Sequence, residues 1–295
     1  MAEGRIAWVD IARVIAILLV VGFHVAYEFT LNNDLRVIGF FGVSLFFIAS
    51  GYMLAMKYKE MIDFNLNWLK KRWLRIATIY YPALICVSLL FVSEDLYSRV
   101  KDLVLHFLFL NWMDPALSYS IISPAWFLVP LMGLYILFPI LNRFIKKSPW
   151  FLLLAFLLMM ANRYVLYPEW VDFSPIFFLG EFCFGIALAQ GERRPLVLCI
   201  ALLPALINPI TVLPFGFFIL LGSLGANITS LPKAVVIIAA NTFEIFLFHE
   251  SVMKTALGEW KIFGQGLAVS LVILAAGIAV SMFVSKQLAL YVFKK

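Results

Sequence analysis

Long apolar runs broken by short charged clusters dominate the chain. A membrane span needs about 20 apolar residues, fewer where the bilayer thins or the segment re-enters. Ten stretches meet or approach that length: 7–29, 37–56, 75–93, 125–143, 150–167, 174–190, 196–208, 211–225, 234–253 and 264–290. No water is present in hydrocarbon to satisfy backbone groups, so runs of this kind fold as helices. The pattern therefore predicts an all-α, polytopic membrane protein of about ten transmembrane helices. The seventh and eighth stretches are short and punctuated by Pro204, Pro209 and Pro214, which predicts a hairpin of tilted or broken helices. The longest connection, 94–124, mixes charge with Leu, Phe and Trp between Tyr97 and Trp112, as an interfacial or re-entrant helix does.

Charge fixes the orientation. With the N-terminus inside, 17 of the 23 Lys and Arg fall in inner segments. The outer ones are Arg36, Arg99, Lys101, Arg163, Lys254 and Lys261. Cytoplasmic loops carry the excess of Lys and Arg, so both termini are expected in the cytoplasm. Merging the two short stretches would reverse the last third and put Lys294 and Lys295 outside. At 64% hydrophobic and 14% charged residues, composition agrees with a multi-pass protein of the cell membrane. The net charge of +6 is a topology signal and gives no reason to invoke nucleic acid. Cys86, Cys183 and Cys199 lie in apolar runs at a spacing that fits no metal site. No cleavable signal pattern, linker, second domain or internal repeat is visible, so 1–295 reads as one integral membrane domain.

Candidate chemistry concentrates in the first run. Arg13 and His24 are eleven residues apart, roughly 1100° around a helix and within about 20° of three turns. They share one face, about 16 Å apart along the axis, and Glu28 lies one turn further on. Polar groups this deep in an apolar run face a protein interior or a wet cavity. Two roles fit His24: a hydrogen bond between helices, or proton transfer near neutral pH. Arg13 can anchor the inner boundary beside Asp10 or hold an anion. Lys70, Lys71, Arg72 and Arg75 form an inner basic cluster in which Arg72 and Arg75 share one side of a helix start. Topology, anionic lipid and a polyphosphate ligand all suit such a cluster. Glu181 and Glu244 lie mid-span, where topology does not explain them.

The motifs carry a resemblance. Asp10-x-x-Arg13 followed by ten residues and His24 resembles the Arg-x10-His motif of the acyltransferase-3 family of integral membrane O-acyltransferases. Gly42-Val43-Ser44-Leu45-Phe46-Phe47-Ile48-Ala49-Ser50-Gly51 is similar to that family's Gly-Val-x-Leu-Phe-Phe-x-x-Ser-Gly. Arg72-Trp73-Leu74-Arg75 resembles its Arg-x-x-Arg element. Trp126-Phe127-Leu128 with Tyr135 and Pro139 resembles its Trp-x-Leu helix, and Phe243 to His249 its late aromatic-x-Ile-Tyr-Leu-x-His element. The order matches throughout. Leu131 stands where many relatives have glutamate, and Phe246 where they have tyrosine. Glu181 or Glu244 is then either a replacement for the missing glutamate or a buried hydrogen-bonding group.

The resemblance implies an EC 2.3.1-type enzyme that moves an acyl group, usually acetyl, from cytoplasmic acyl-CoA to a hydroxyl of a glycan, lipid-linked sugar or similar acceptor of the cell envelope. Such O-acetylation needs a base for the hydroxyl proton, a stabiliser for the oxyanion and exclusion of water. The expected catalytic residues are His24 as base, Arg13, and Glu28 as partner of the imidazolium. Glu28 also suits contact with outer headgroups. Donor binding is expected at Arg13, Lys71, Arg72 and Arg75, since paired guanidiniums match the CoA phosphates. The lysine is equally explained by topology. Acceptor binding is expected at Asn111, Trp112, Trp126, Tyr135 and His249, although tryptophans at a boundary also serve as belt residues. No metal is called for. A different class of function, a transporter or flippase for a sugar-lipid or small metabolite, would use the intramembrane His and Glu for proton coupling and have no need of CoA. A structural subunit would tolerate loss of His24.

Overall fold

The computed structural model describes residues 6–61, 63–91, 96–114, 117, 119–148, 150–166, 174–191, 194–259, 262 and 265–293. Arg5, Arg193, Lys261, Lys294 and Lys295, all used in the orientation argument, lie outside them. Among the described residues there is no strand. The helices are α1 (Ala7–Thr30), α2 (Arg36–Lys57), α3 (Leu66–Leu90), α4 (Leu96–Phe107), α5 (Leu128–Lys147), α6 (Trp150–Ala161), α7 (Leu179–Gln190), α8 (Arg194–Ala201), α9 (Leu213–Gly225), α10 (Lys233–Ala240), α11 (Thr242–Ala256) and α12 (Leu267–Phe293).

Helices stand where the apolar runs predicted them, but their lengths differ from a set of ten full spans. Five are long and apolar enough to cross a membrane: those at 7–30, 33–57, 66–90, 123–147 and 267–293. A sixth arises if α10 and α11, broken at Asn241, count as one. The other four predicted segments are apolar helices of 10–17 residues. Local chemistry shortens them. After Ala161 the fifth run widens into a π turn at Asn162–Leu166. α7 stops at Gly191, whose φ of 72° suits a residue without Cβ. The seventh and eighth runs break into 3-10 turns at Pro204 and at Asn208-Pro209, where Asn208 caps the Ile210 amide.

The chain divides into two compact units. The first comprises Met1–Asn65 and Pro130–Thr242, the second Leu66–Val129 and Phe243–Lys295. In the first unit α2 is the central helix. Its Gly42 lies against the Ala16 carbonyl oxygen and Val20 of α1, and its Gly51 against the backbone of Phe182 in α7. Gly185 of α7 lies in turn on the Ile48 carbonyl of α2. Each glycine lets two backbones meet where a methyl group would collide with main-chain oxygen.

Contacts along the helices give their directions. α1 opposes α2, since Phe23 meets Gly39 while Trp8 packs on Tyr52. α7 runs with α2: Phe40 meets Phe177, Ser44 meets Glu181, and Gly51 meets Phe182. α5 runs with α7, from Gly133 on Pro175 to Asn142 on Gln190. α6 opposes them, with Phe156 on Gly180 and Arg163 on the Phe177 carbonyl. One end of the unit thus gathers Lys57, Lys59, Arg143, Lys146 and Lys147. There Asn142 Nδ2 donates to the carbonyl oxygens of Tyr58, Lys59 and Met61, and Lys146 pairs with Glu60 at 2.6 Å.

In the second unit α3 packs along α12, with Gly277 against Cys86 and Leu90. The connection expected to hold an interfacial or re-entrant helix contains α4. Its carboxyl end is stitched to α3, where Tyr81 stacks on Phe107 at 3.9 Å and its hydroxyl donates to the Phe107 carbonyl.

Candidate active site

α1 is one unbroken helix from Ala7 to Thr30, so the spacing of Arg13 and His24 holds as three helical turns. Between them on the same stripe lie Ile17 and Val20, 1% and 3% exposed. The opposite stripe, Leu18, Val25 and Phe29, is 58%, 39% and 73% exposed. Arg13 and His24 therefore belong to the protein-facing side of α1, and the other side has the character of a lipid face.

Arg13 is half-buried and fixed from two directions. Its Nη1 lies 3.7 Å from Asp10 Oδ1, one turn earlier. Its Nη2 donates to Thr242 Oγ1 at 2.9 Å. A boundary anchor needs only the first contact; the second ties α1 to the residue directly before the late motif. His24 is half-buried, with its ring 4.9 Å from that of Phe23. Glu28 is half-buried and makes no hydrogen bond or ion pair among the described residues, so the expected carboxylate–imidazole contact is not formed here.

On α3, Arg72 lies over the Trp68 ring at 5.8 Å, while Lys71 and Arg75 are exposed. Arg72 and Arg75 are i, i+3 neighbours on one side of the helix. Of the residues expected at the acceptor, the second unit brings Trp126 and His249 into one aromatic cluster. The Trp126 ring meets Phe127, Phe127 meets Phe246 at 5.2 Å, and Phe246 meets His249 at 6.0 Å. His249 is buried, with Nδ1 2.8 Å from the Phe246 carbonyl oxygen. Asn111 is buried and Trp112 exposed in the turn after α4. Tyr135, on α5, belongs to the first unit.

Glu181 makes buried hydrogen bonds. Its Oε1 accepts from Arg163 Nη2 at 2.6 Å and from Ser44 Oγ at 3.3 Å, and the pair is 1% and 11% exposed. Arg163 also donates from Nε to the Phe177 carbonyl and lies 4.2 Å over the Phe177 ring. This buried ion pair joins α2, the π turn after α6, and α7. Sequence reading had taken Arg163 only as an outer charge; its partner is eighteen residues away and no local pattern shows it. Thr242 was missed likewise, although it adjoins the late motif. A third omission, Asp102 with His106 on α4, did leave a signal, because Asp-x-x-x-His places the two side chains one above the other on a helix.

Outside the membrane segments, the Lys146 ammonium hydrogen-bonds and attracts the Glu60 carboxylate, which holds that carboxyl below its ordinary range.

No curated protein and no solved structure matches the chain. The family model described as an acyltransferase domain, acyltransferase-3, matches residues 6–286. That range runs from the start of α1 into α12 and takes in every motif on which the resemblance rested. With its apolar helices and its inward Arg13–His24 stripe, the chain belongs to the acyltransferase-3 family of acyltransferase domains.

Proposed function

We propose that the protein is a membrane O-acyltransferase that transfers an acyl group, acetyl in the simplest case, from cytoplasmic acyl-CoA to a hydroxyl of a glycan or lipid-linked sugar of the cell envelope. The observation that carries this reading is the α1 stripe: a guanidinium anchored by Asp10 and Thr242, and an imidazole three turns on, both on the side of the helix turned from lipid. The 16 Å or so between them suits a pantetheine arm held at its inner end.

In the proposed reaction Arg13, with Arg72, Arg75 and Lys71, holds the CoA phosphates and pantetheine. His24 takes the proton of the acceptor hydroxyl as its oxygen bonds to the acyl carbon. The carbon–sulfur bond breaks, the thiolate leaves with the electron pair, and the imidazolium returns the proton to sulfur. Glu28 contributes by charge while the imidazolium exists. Asn111, Trp112, Trp126, Tyr135 and His249 serve the acceptor. The reading has the whole chain act as one domain crossing the membrane ten times with both termini in the cytoplasm. Alternating helix directions in the first unit, and the basic residues gathered at one of its ends, support that topology.

The test is direct. Purified protein in lipid nanodiscs is given labelled acetyl-CoA and a lipid-linked sugar extract, and products are read by mass spectrometry. Acetylated sugar-lipid is expected, and none from His24→Ala. Movement of unmodified sugar with no demand for CoA would replace this reading with the transporter. Label retained on protein when acceptor is withheld would select an acyl-protein relay over direct attack.

A further inference from the structure

α4 carries a histidine that the proposed reaction does not use. His106 is fully buried, and Asp102, one turn earlier, is 5% exposed. His106 Nδ1 lies 2.9 Å from Asp102 Oδ1 and 3.1 Å from the main-chain oxygen of the same residue. Both oxygens only accept, so Nδ1 carries the ring proton. Asp102 is itself held from a second direction, since Ser120 Oγ donates to its Oδ1 at 2.8 Å. The tautomer and the tilt of the ring are thereby fixed. What remains is Nε2, which is a bare lone pair in the neutral ring and, in this fully buried residue, has no hydrogen-bond partner among the described residues.

Aromatic rings gather about the same turn. The Tyr80 hydroxyl donates to the His106 carbonyl at 3.4 Å, and the Tyr80 ring lies 5.2 Å from that of Phe109. Phe109 has φ of 58°, a left-handed conformation that a bulky residue seldom adopts, so the turn just past His106 is held in shape by its neighbours. A hydroxyl needs only the lone pair, and aromatic faces suit the C–H faces of a polyol.

We propose that His106 Nε2, oriented by Asp102 and Ser120, is a binding site for a hydroxyl of a polyol ligand. Taken with the proposed function, that ligand is the sugar acceptor. Only the ligand's role as acceptor rests on the proposed function; the demand of Nε2 for a donor does not. His106 is thus a positioning residue for specificity and takes no proton in the reaction.

The chain has three histidines, so nitrogen-15 labelling of histidine gives three imidazoles, assigned with His24→Gln and His249→Gln. Wild-type protein in lipid nanodiscs is titrated with methyl β-maltoside, and with dimethoxyethane as a probe lacking hydroxyls. The expected His106 spectrum has a protonated Nδ1 and a bare Nε2 that moves to a hydrogen-bonded position with the maltoside only. In the transfer assay His106→Gln raises the acceptor KM several-fold with kcat little changed. Three spectra overturn the proposal: a protonated Nε2, an Nε2 already bonded without glycoside (an ordered water only), or an Nε2 that maltoside does not move. Absence of any wild-type transfer would sink the acyltransferase reading alone, and the titration would still decide this one.

Discussion

Arg13 on the first helix donates a 2.9 Å hydrogen bond to Thr242, a residue 229 positions later in the chain. The bond holds the guanidinium in one orientation beside the stripe that leads to His24. Replacing Thr242 with Val keeps the shape and removes the acceptor. Hydrogen bonds to charged groups contribute about 1.5–3 kcal/mol when buried, and Arg13 is half-buried, so about 1 kcal/mol is expected. Thr242→Val should then raise the KM for acetyl-CoA about fivefold and change kcat little. Arg13→Lys, which loses the planar fork, should cost more; equal, unchanged KM values for both variants would remove Arg13 from the donor site.

His24→Ala and His24→Gln should fold as the wild type does, because the residue is only half-buried and adjoins Phe23. Both should lose transfer by about 10²–10⁴-fold, the usual contribution of a positioned base. Acetyl-CoA binding, measured by calorimetry in nanodiscs, should stay within about twofold, since His24 lies about 16 Å from Arg13. Full turnover by His24→Gln would assign the proton to another group.

Arg163 and Glu181 give a stability prediction with a built-in control. Arg163→Met leaves a buried carboxylate without its cation, which costs about 3–5 kcal/mol in buried pairs. Adding Glu181→Gln removes the stranded charge, and the double variant should regain most of the loss. Thermal unfolding in detergent reads both; a double variant no better than the single would mean that the ion pair does not anchor α2, α6 and α7.

The glycines of the first unit divide sharply. A methyl at Gly51 would run into the Phe182 carbonyl oxygen, and one at Gly185 into that of Ile48. Gly51→Ala and Gly185→Ala should each destabilise by about 1–3 kcal/mol, the range for overpacking. Gly22 has no heavy atom within 4 Å of such a methyl, and Gly22→Ala should be neutral or stabilising by up to about 1 kcal/mol, because alanine favours helix. The melting temperatures of the three variants check the ranking.

Acid should release the Glu60–Lys146 pair. The folded protein holds the Glu60 carboxyl below its ordinary range through the Lys146 ammonium. A depressed folded pKa adds stability that is fully present above the unfolded pKa and is lost as pH falls through the folded one. Wild type should therefore melt slightly above Glu60→Gln at neutral pH, and the gap should close below the ordinary glutamate range. Both partners are exposed, so the gap should also shrink in high salt. A gap that persists in acid would point to packing by the side chain.

What the amino-acid order determined by itself is everything that depends on periodicity and local chemistry. Apolar runs gave the helix positions, the eleven-residue interval put Arg13 and His24 on one face, and the motifs gave the family that the match over 6–286 shows. Gly42 and Gly51, both in the motif of the second run, lie where α2 meets the main chain of its neighbours. Span length was less legible, since α6 gives way to a π turn after Ala161 within a run read as one span, whereas Pro204, Pro209 and Pro214 announced the broken helices that the 3-10 turns there make. Tertiary structure alone decided the partners: Thr242 for Arg13, Arg163 for Glu181, Ser120 for Asp102. It also left Glu28 without the bond to His24 that their one-turn spacing suggested. The physical reason is the same in each case. Hydropathy and helical phase are properties of neighbours in sequence, whereas a buried charge takes whatever opposite group the packing brings within about 3 Å, at any distance along the chain.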